Sequence, residues 1–159
     1  MRIATRPLVT AATGLMLALT LSAAAAADIA PAKPDKLGAV REQIAQKKWA
    51  GAIDELKKAN EPGSADWNNL MGYSLRKSAP PDYAAAEKFY DEALRIDPKH
   101  RGALEYSGEL YLMTGKLDLA EQRLAALDKA CFLPCEEHTD LKKSIAAYKA
   151  NGNKVAVKP

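Results

Sequence analysis

The chain has 159 residues, 48% hydrophobic and 27% charged, with 23 Lys+Arg against 20 Asp+Glu. Two of the basic residues, Arg2 and Arg6, fall in the first 27 positions, which leaves 21 basic against 20 acidic residues in the rest. So even a balance offers no electrostatic footprint for nucleic acid or an acidic lipid surface, and neither is expected as a partner.

The opening "MRIATRPLVTAATGLMLALTLSAAAAA" sets a basic start before an apolar run over 8–21. It closes in Ala25-Ala26-Ala27 before Asp28. That order predicts a cleaved secretory signal peptide over 1–27 and export to a bacterial periplasm. The apolar run falls short of the roughly 20 residues a comfortable membrane span needs. No stable membrane insertion is therefore expected after the leader is removed. Residues 28–35, with two prolines and alternating charge, read as a flexible linker. The 132 residues remaining (159 less 27) suffice for one domain with a continuous core, expected over 36–150. Beyond it, 151–159 begin with a helix-stopping Asn-Gly and then lose periodicity, as a loose tail does.

Within 36–150 the apolar residues keep helical spacing. "KLGAVREQIAQKK" offers Leu37, Val40 and Ile44 on one face. Trp49, Tyr83 and Leu117 then follow at intervals of 34, as do Ala52, Ala86 and Ala120. Leu56, Tyr90 and Leu124 form a third such column, and Ala59, Ala93 and Leu127 a fourth. Steps of three and four put one member of each column on a single helix face. The upstream stretches "WNNLMGYSLRK" and "ALEYSGELYLMTG" align through Gly72 and Gly108, with Leu75 and Tyr111 three residues on. Those glycines stand 36 apart because the turn "KSAPPDY" is two residues longer than "TGKL". Pro81 is expected in the first turn of the helix that follows. Small residues in these columns let helices approach, and three stacked hairpins can bury a shared apolar face that one cannot. Finally, "EEHTDLKKSIAAYKA" over 136–150 puts Leu141, Ile145 and Tyr148 on one face. It reads as a closing helix, with Glu136 and Glu137 favouring its N-terminus and Gly152 ending it.

These residues resemble the tetratricopeptide repeat family, whose 34-residue pattern is W-x2-L-G-x2-Y, then A-x3-F, then P. The third hairpin matches through Gly108, Tyr111, Gly115, Ala120 and Leu124, the second through Gly72, Ala86, Tyr90, Ala93 and Pro98. Trp67 lies one residue earlier than the family's tryptophan, and Val40 stands where a first-repeat glycine belongs. The first hairpin should therefore pack less regularly. The resemblance implies an all-α, right-handed α-solenoid of about three helix–turn–helix repeats, over 36–62, 66–99 and 101–133, with the cap helix 136–150. It also implies that the first helix of each pair lines a concave groove for another protein or peptide. Carried over by alignment, the lining is Arg41, Asn69, Tyr73, Arg76, Lys77, Glu105, Glu109 and Met113. Bases come from the first two pairs and acids from the third, a polarity that suits a partner segment of opposite order. The family's clamp for a C-terminal carboxylate is not reproduced.

Cys131 and Cys135 flank the turn Phe132-Leu133-Pro134 between the last repeat and the cap. In an oxidising compartment a disulfide is the simplest expectation. The alternative is a copper or zinc site built from Cys131, Cys135 and His138, two thiolates and an imidazole. A C-x3-C pair without a strand–helix context argues against thiol exchange. His100, in "DPKH", is expected to be a solvated loop residue. Ser64, Ser74, Ser78, Ser107 and Ser144 lack a nucleophile-elbow context, and no metalloprotease, phosphate-loop or dinucleotide motif occurs. A non-enzymatic, cofactor-free binding scaffold is expected.

Overall fold

Residues 35–154 are described by a computed structural model. The expected signal peptide, the linker up to residue 34 and residues 155–159 of the tail lie outside them. Among the described residues there are seven helices and no strand. They are α1 Gly38–Ala45, α2 Trp49–Ala59, α3 Ala65–Lys77, α4 Tyr83–Ile96, α5 Arg101–Met113, α6 Leu117–Ala130 and α7 Glu136–Ala150. The fold is an all-α helical repeat: α1 packs on α2, α3 on α4 and α5 on α6, while α7 closes the stack against α5 and α6.

Local chemistry sets the helix ends. The Ser64 hydroxyl accepts from Trp67 N–H at 3.3 Å, and the Asp82 carboxylate from Ala85 N–H at 2.9 Å. Such caps contribute about 1 kcal/mol each. Because Asp82 is the cap, Pro81 stands just outside α4 rather than in its first turn, which corrects the expectation from sequence. Asn60 ends α2 in the left-handed region, at φ 47°. Gly115, at φ +77°, makes the tight turn from α5 to α6, a conformation that a side chain disfavours.

Packing follows the repeat columns. Ala52, Ala86 and Ala120 are each 0% exposed, and Leu56, Tyr90, Ala93 and Leu127 are equally buried. Burying a leucine side chain of this kind stabilises by about 1.5–3 kcal/mol. The two aligned glycines receive different neighbours. A Cβ on Gly72 would lie 2.8 Å from the Tyr90 ring, on α4, and 3.1 Å from the Ala86 carbonyl oxygen. A Cβ on Gly108 would lie 2.6 Å from Leu141 Cδ2, on α7. Gly72 thus closes a hairpin on itself, while Gly108 seats the cap.

The first hairpin is the slighter one. Helix α1 has eight residues and buries Val40, with Leu37 just before it also in the core. The Trp67 indole N–H donates to the Leu56 carbonyl at 2.7 Å and ties α3 to the end of α2. Direct contact between first helices runs from α3 to α5 and from α5 to α7, with nothing comparable among α2, α4 and α6. A stack drawn together along its first helices and spread along its second ones is concave on the α3–α5–α7 side. On the outer layer, Glu87 pairs with Lys116 and Asp91 with Arg123, each at 3.0 Å. Exposed pairs of this sort contribute at most about 1 kcal/mol.

Candidate functional site

The inner face of α3 and α5 carries an aromatic and ionic cluster. The Tyr73 and Tyr106 rings lie 4.7 Å apart between centroids, and Trp49, at the start of α2, meets Tyr73 edge to face at 5.9 Å. Beneath them the Arg76 guanidinium stands 5.4 Å from the Tyr73 centroid and 5.6 Å from that of Tyr106. Its side chain is 0% exposed. Its Nη2 lies 2.8 Å from Glu109 Oε2 on α5, a close ion pair whose N–H groups are not aligned on the carboxylate. Arg76 Nη1 also reaches Met113 Sδ at 3.9 Å. The buried Tyr90 hydroxyl sits beside the same guanidinium, and burial pushes the phenol well above its ordinary range.

This placement corrects two of the expected lining residues. Arg76 is buried rather than displayed, because two phenol rings cover it and Glu109 neutralises it. Asn69 is also buried, with its amide nitrogen against the first turn of α5 at Gly102. Arg41 is exposed on α1 and pairs with Asp35 at 2.7 Å. Tyr73 is partly covered, and Lys77, Glu109 and Met113 line a cavity of about 230 Å³ with Leu112, Ser144, Ala147 and Tyr148. The Lys77 ammonium lies 5.8 Å from the Tyr73 ring centroid. Burial and the neighbouring Arg76 cation hold its pKa below the usual lysine value. Trp49 and Tyr106 belong to this wall and were absent from the expected set.

Glu105 is the other unusual group. It is 9% exposed, and burial, reinforced by Glu109, Asp140 and Glu137, pushes its carboxyl from 4.5 up to about 8. The folded protein therefore binds a proton there that the unfolded chain releases between these two values. Stability contributed by the neutral carboxyl is full below pH 4.5 and is lost as pH rises to about 8. Glu105→Gln is expected to match the parent near pH 5 and to exceed it by about 1–2 kcal/mol at pH 8.5. Urea denaturation at the two pH values measures this.

At the other end of α6 the Cys131 and Cys135 sulfurs stand 2.02 Å apart. A link closing so short a loop contributes about 2 kcal/mol in the chain-entropy view. It anchors a turn on which Phe132 is fully solvent-facing and Leu133 is largely exposed. His138 directs Nε2 at Asp128 Oδ1, 2.7 Å away. Among the described residues no three His, Cys, Asp or Glu side chains gather as a metal site would. His100 is not the solvated residue expected. Its Nδ1 accepts from Ala103 N–H at 3.0 Å, capping α5, and its Nε2 meets Asp66 Oδ1 at 3.1 Å. No described helix is long and apolar enough to cross a membrane.

Residues 81–130 match the family described as tetratricopeptide repeat. No curated protein and no solved structure matches the chain.

Proposed function

We propose that this chain, a tetratricopeptide-repeat protein, is a non-catalytic scaffold that holds a segment of another protein in the concave groove of α3, α5 and α7. The general role in protein–protein interaction follows from the repeat family. The groove assignment rests on one observation: the buried Arg76 locks Tyr73 and Tyr106 into a fixed wall beside an open cavity. A wall already ordered before contact lowers the entropic cost of binding. The leader-like first 27 residues and the paired cysteines support a periplasmic setting for that encounter.

The test uses Lys77, which is exposed at the groove, rather than Arg76, whose replacement would disturb the fold. Lys77→Glu is expected to weaken capture of the cellular partner at least about tenfold, with an unchanged circular dichroism spectrum. Gln122→Glu, on the exposed side of α6, should leave capture intact. Equal capture by the parent and Lys77→Glu would remove the groove from the account.

A further inference from the structure

Two features of the α5–α7 side of the groove lack a counterpart among the described residues. The first is the cavity between the ends of α3, α5 and α7, whose apolar walls are Leu112, Met113, Ala147 and Tyr148. The second is Glu105, nine-tenths buried and without an ion-pair or hydrogen-bond partner among the described residues. Around it the carboxylates of Glu109, Glu137 and Asp140 outnumber the cations. Arg76 is committed to Glu109, and Arg101 reaches Glu137 only at 3.6 Å. A buried carboxyl among like charges is electrostatically costly, and an incoming cation relieves that cost.

From these we propose, building on the groove reading above, that the α5–α7 groove takes a partner segment bearing a large aliphatic side chain and a Lys or Arg three positions away. The aliphatic group enters the cavity and the cation pairs with Glu105. The spacing follows from helix geometry. The cavity is centred near the Glu109–Met113 level of α5, about 9 Å along the axis from Glu105 at 1.5 Å per residue. A segment in the polyproline II conformation, rising about 3.1 Å per residue with three residues per turn, covers that distance in about three residues and returns side chains three apart to the same face. Pairing with a cation also draws the proton from Glu105, so binding near neutral pH releases a proton. The groups that set this response are Glu109 on the same helix, Glu137 and Asp140 on α7, and Arg76 on α3.

Titration calorimetry of the whole chain with two peptides, acetyl-GSLSSRSG-amide and acetyl-GSRSSLSG-amide, tests the proposal. Both are run at pH 7 in buffers of different ionisation enthalpy, with amide shifts followed in parallel. The expected result is that at least one binds, perturbs α5 and α7, and releases a proton. Glu105→Gln should abolish the proton release, and Ala147→Trp, which fills the cavity, should weaken binding at least about tenfold. Replacing Arg by Glu in the peptide should abolish binding. Binding without proton release, or equal binding by the glutamate peptide, overturns the chemistry assigned to Glu105 while leaving the groove as the binding face. Binding by neither peptide also overturns this proposal. Shifts confined to α2, α4 and α6 overturn both this proposal and the groove itself.

Discussion

Glu109→Ala is expected to cost about 3 kcal/mol in urea denaturation. The reason is asymmetry. Glu109 retains some contact with solvent, but Arg76 has none, so deleting the acid strands a guanidinium that is fully buried under Tyr73 and Tyr106. Glu92→Ala gives the contrast, since Glu92–Arg95 is a solvent-exposed pair on α4 and its loss should leave the urea midpoint nearly unchanged. Removing both charges by Arg76→Met with Glu109→Leu should cost less than the two single changes summed, because no buried ion then lacks a partner. A Glu109→Ala loss as small as that at Glu92 would show that the guanidinium does not depend on its acid.

Gly72→Leu is expected to cost about 3 kcal/mol or more by overpacking. The added Cβ alone would sit 2.8–2.9 Å from Tyr90 ring atoms and 3.1 Å from the Ala86 carbonyl oxygen. Tyr90 is fully buried with its hydroxyl beside Arg76, and the Ala86 contact is backbone, so neither neighbour can yield cheaply. The gain from replacing a helical glycine, about 1 kcal/mol, does not offset this. Gly63→Ala serves as the control: nothing lies within 4 Å of its would-be Cβ, and the change should stay within about 0.5 kcal/mol. A thermal melt of the two variants separates the outcomes.

The parts of the fold that repeat were visible as spacing. Alanines 34 apart had to be alanines because helices meet there, and all three are fully buried. The groove was less visible, since contact between first helices is offset from their alignment. Tyr73 meets Tyr106 and Arg76 meets Glu109, in each case 33 positions on, one turn before the aligned residue. Alignment sets Tyr106 opposite Leu70, so its role in the wall was hidden. The burial of Arg76 was hidden for another reason. A charged residue four positions after a core glycine reads as solvated unless the two rings and the carboxylate that cover it are known. His100 shows the same limit, because its contact with Asp66 joins residues from different hairpins.

Site-specific photocrosslinking in the producing cells tests the central claim most directly. A benzophenone amino acid placed at Lys77 or Ser144, both at the cavity, is predicted to crosslink one shared partner. The same probe at Gln122 on α6 should crosslink none of it. A partner trapped from Gln122 and not from Lys77 or Ser144 would contradict the account.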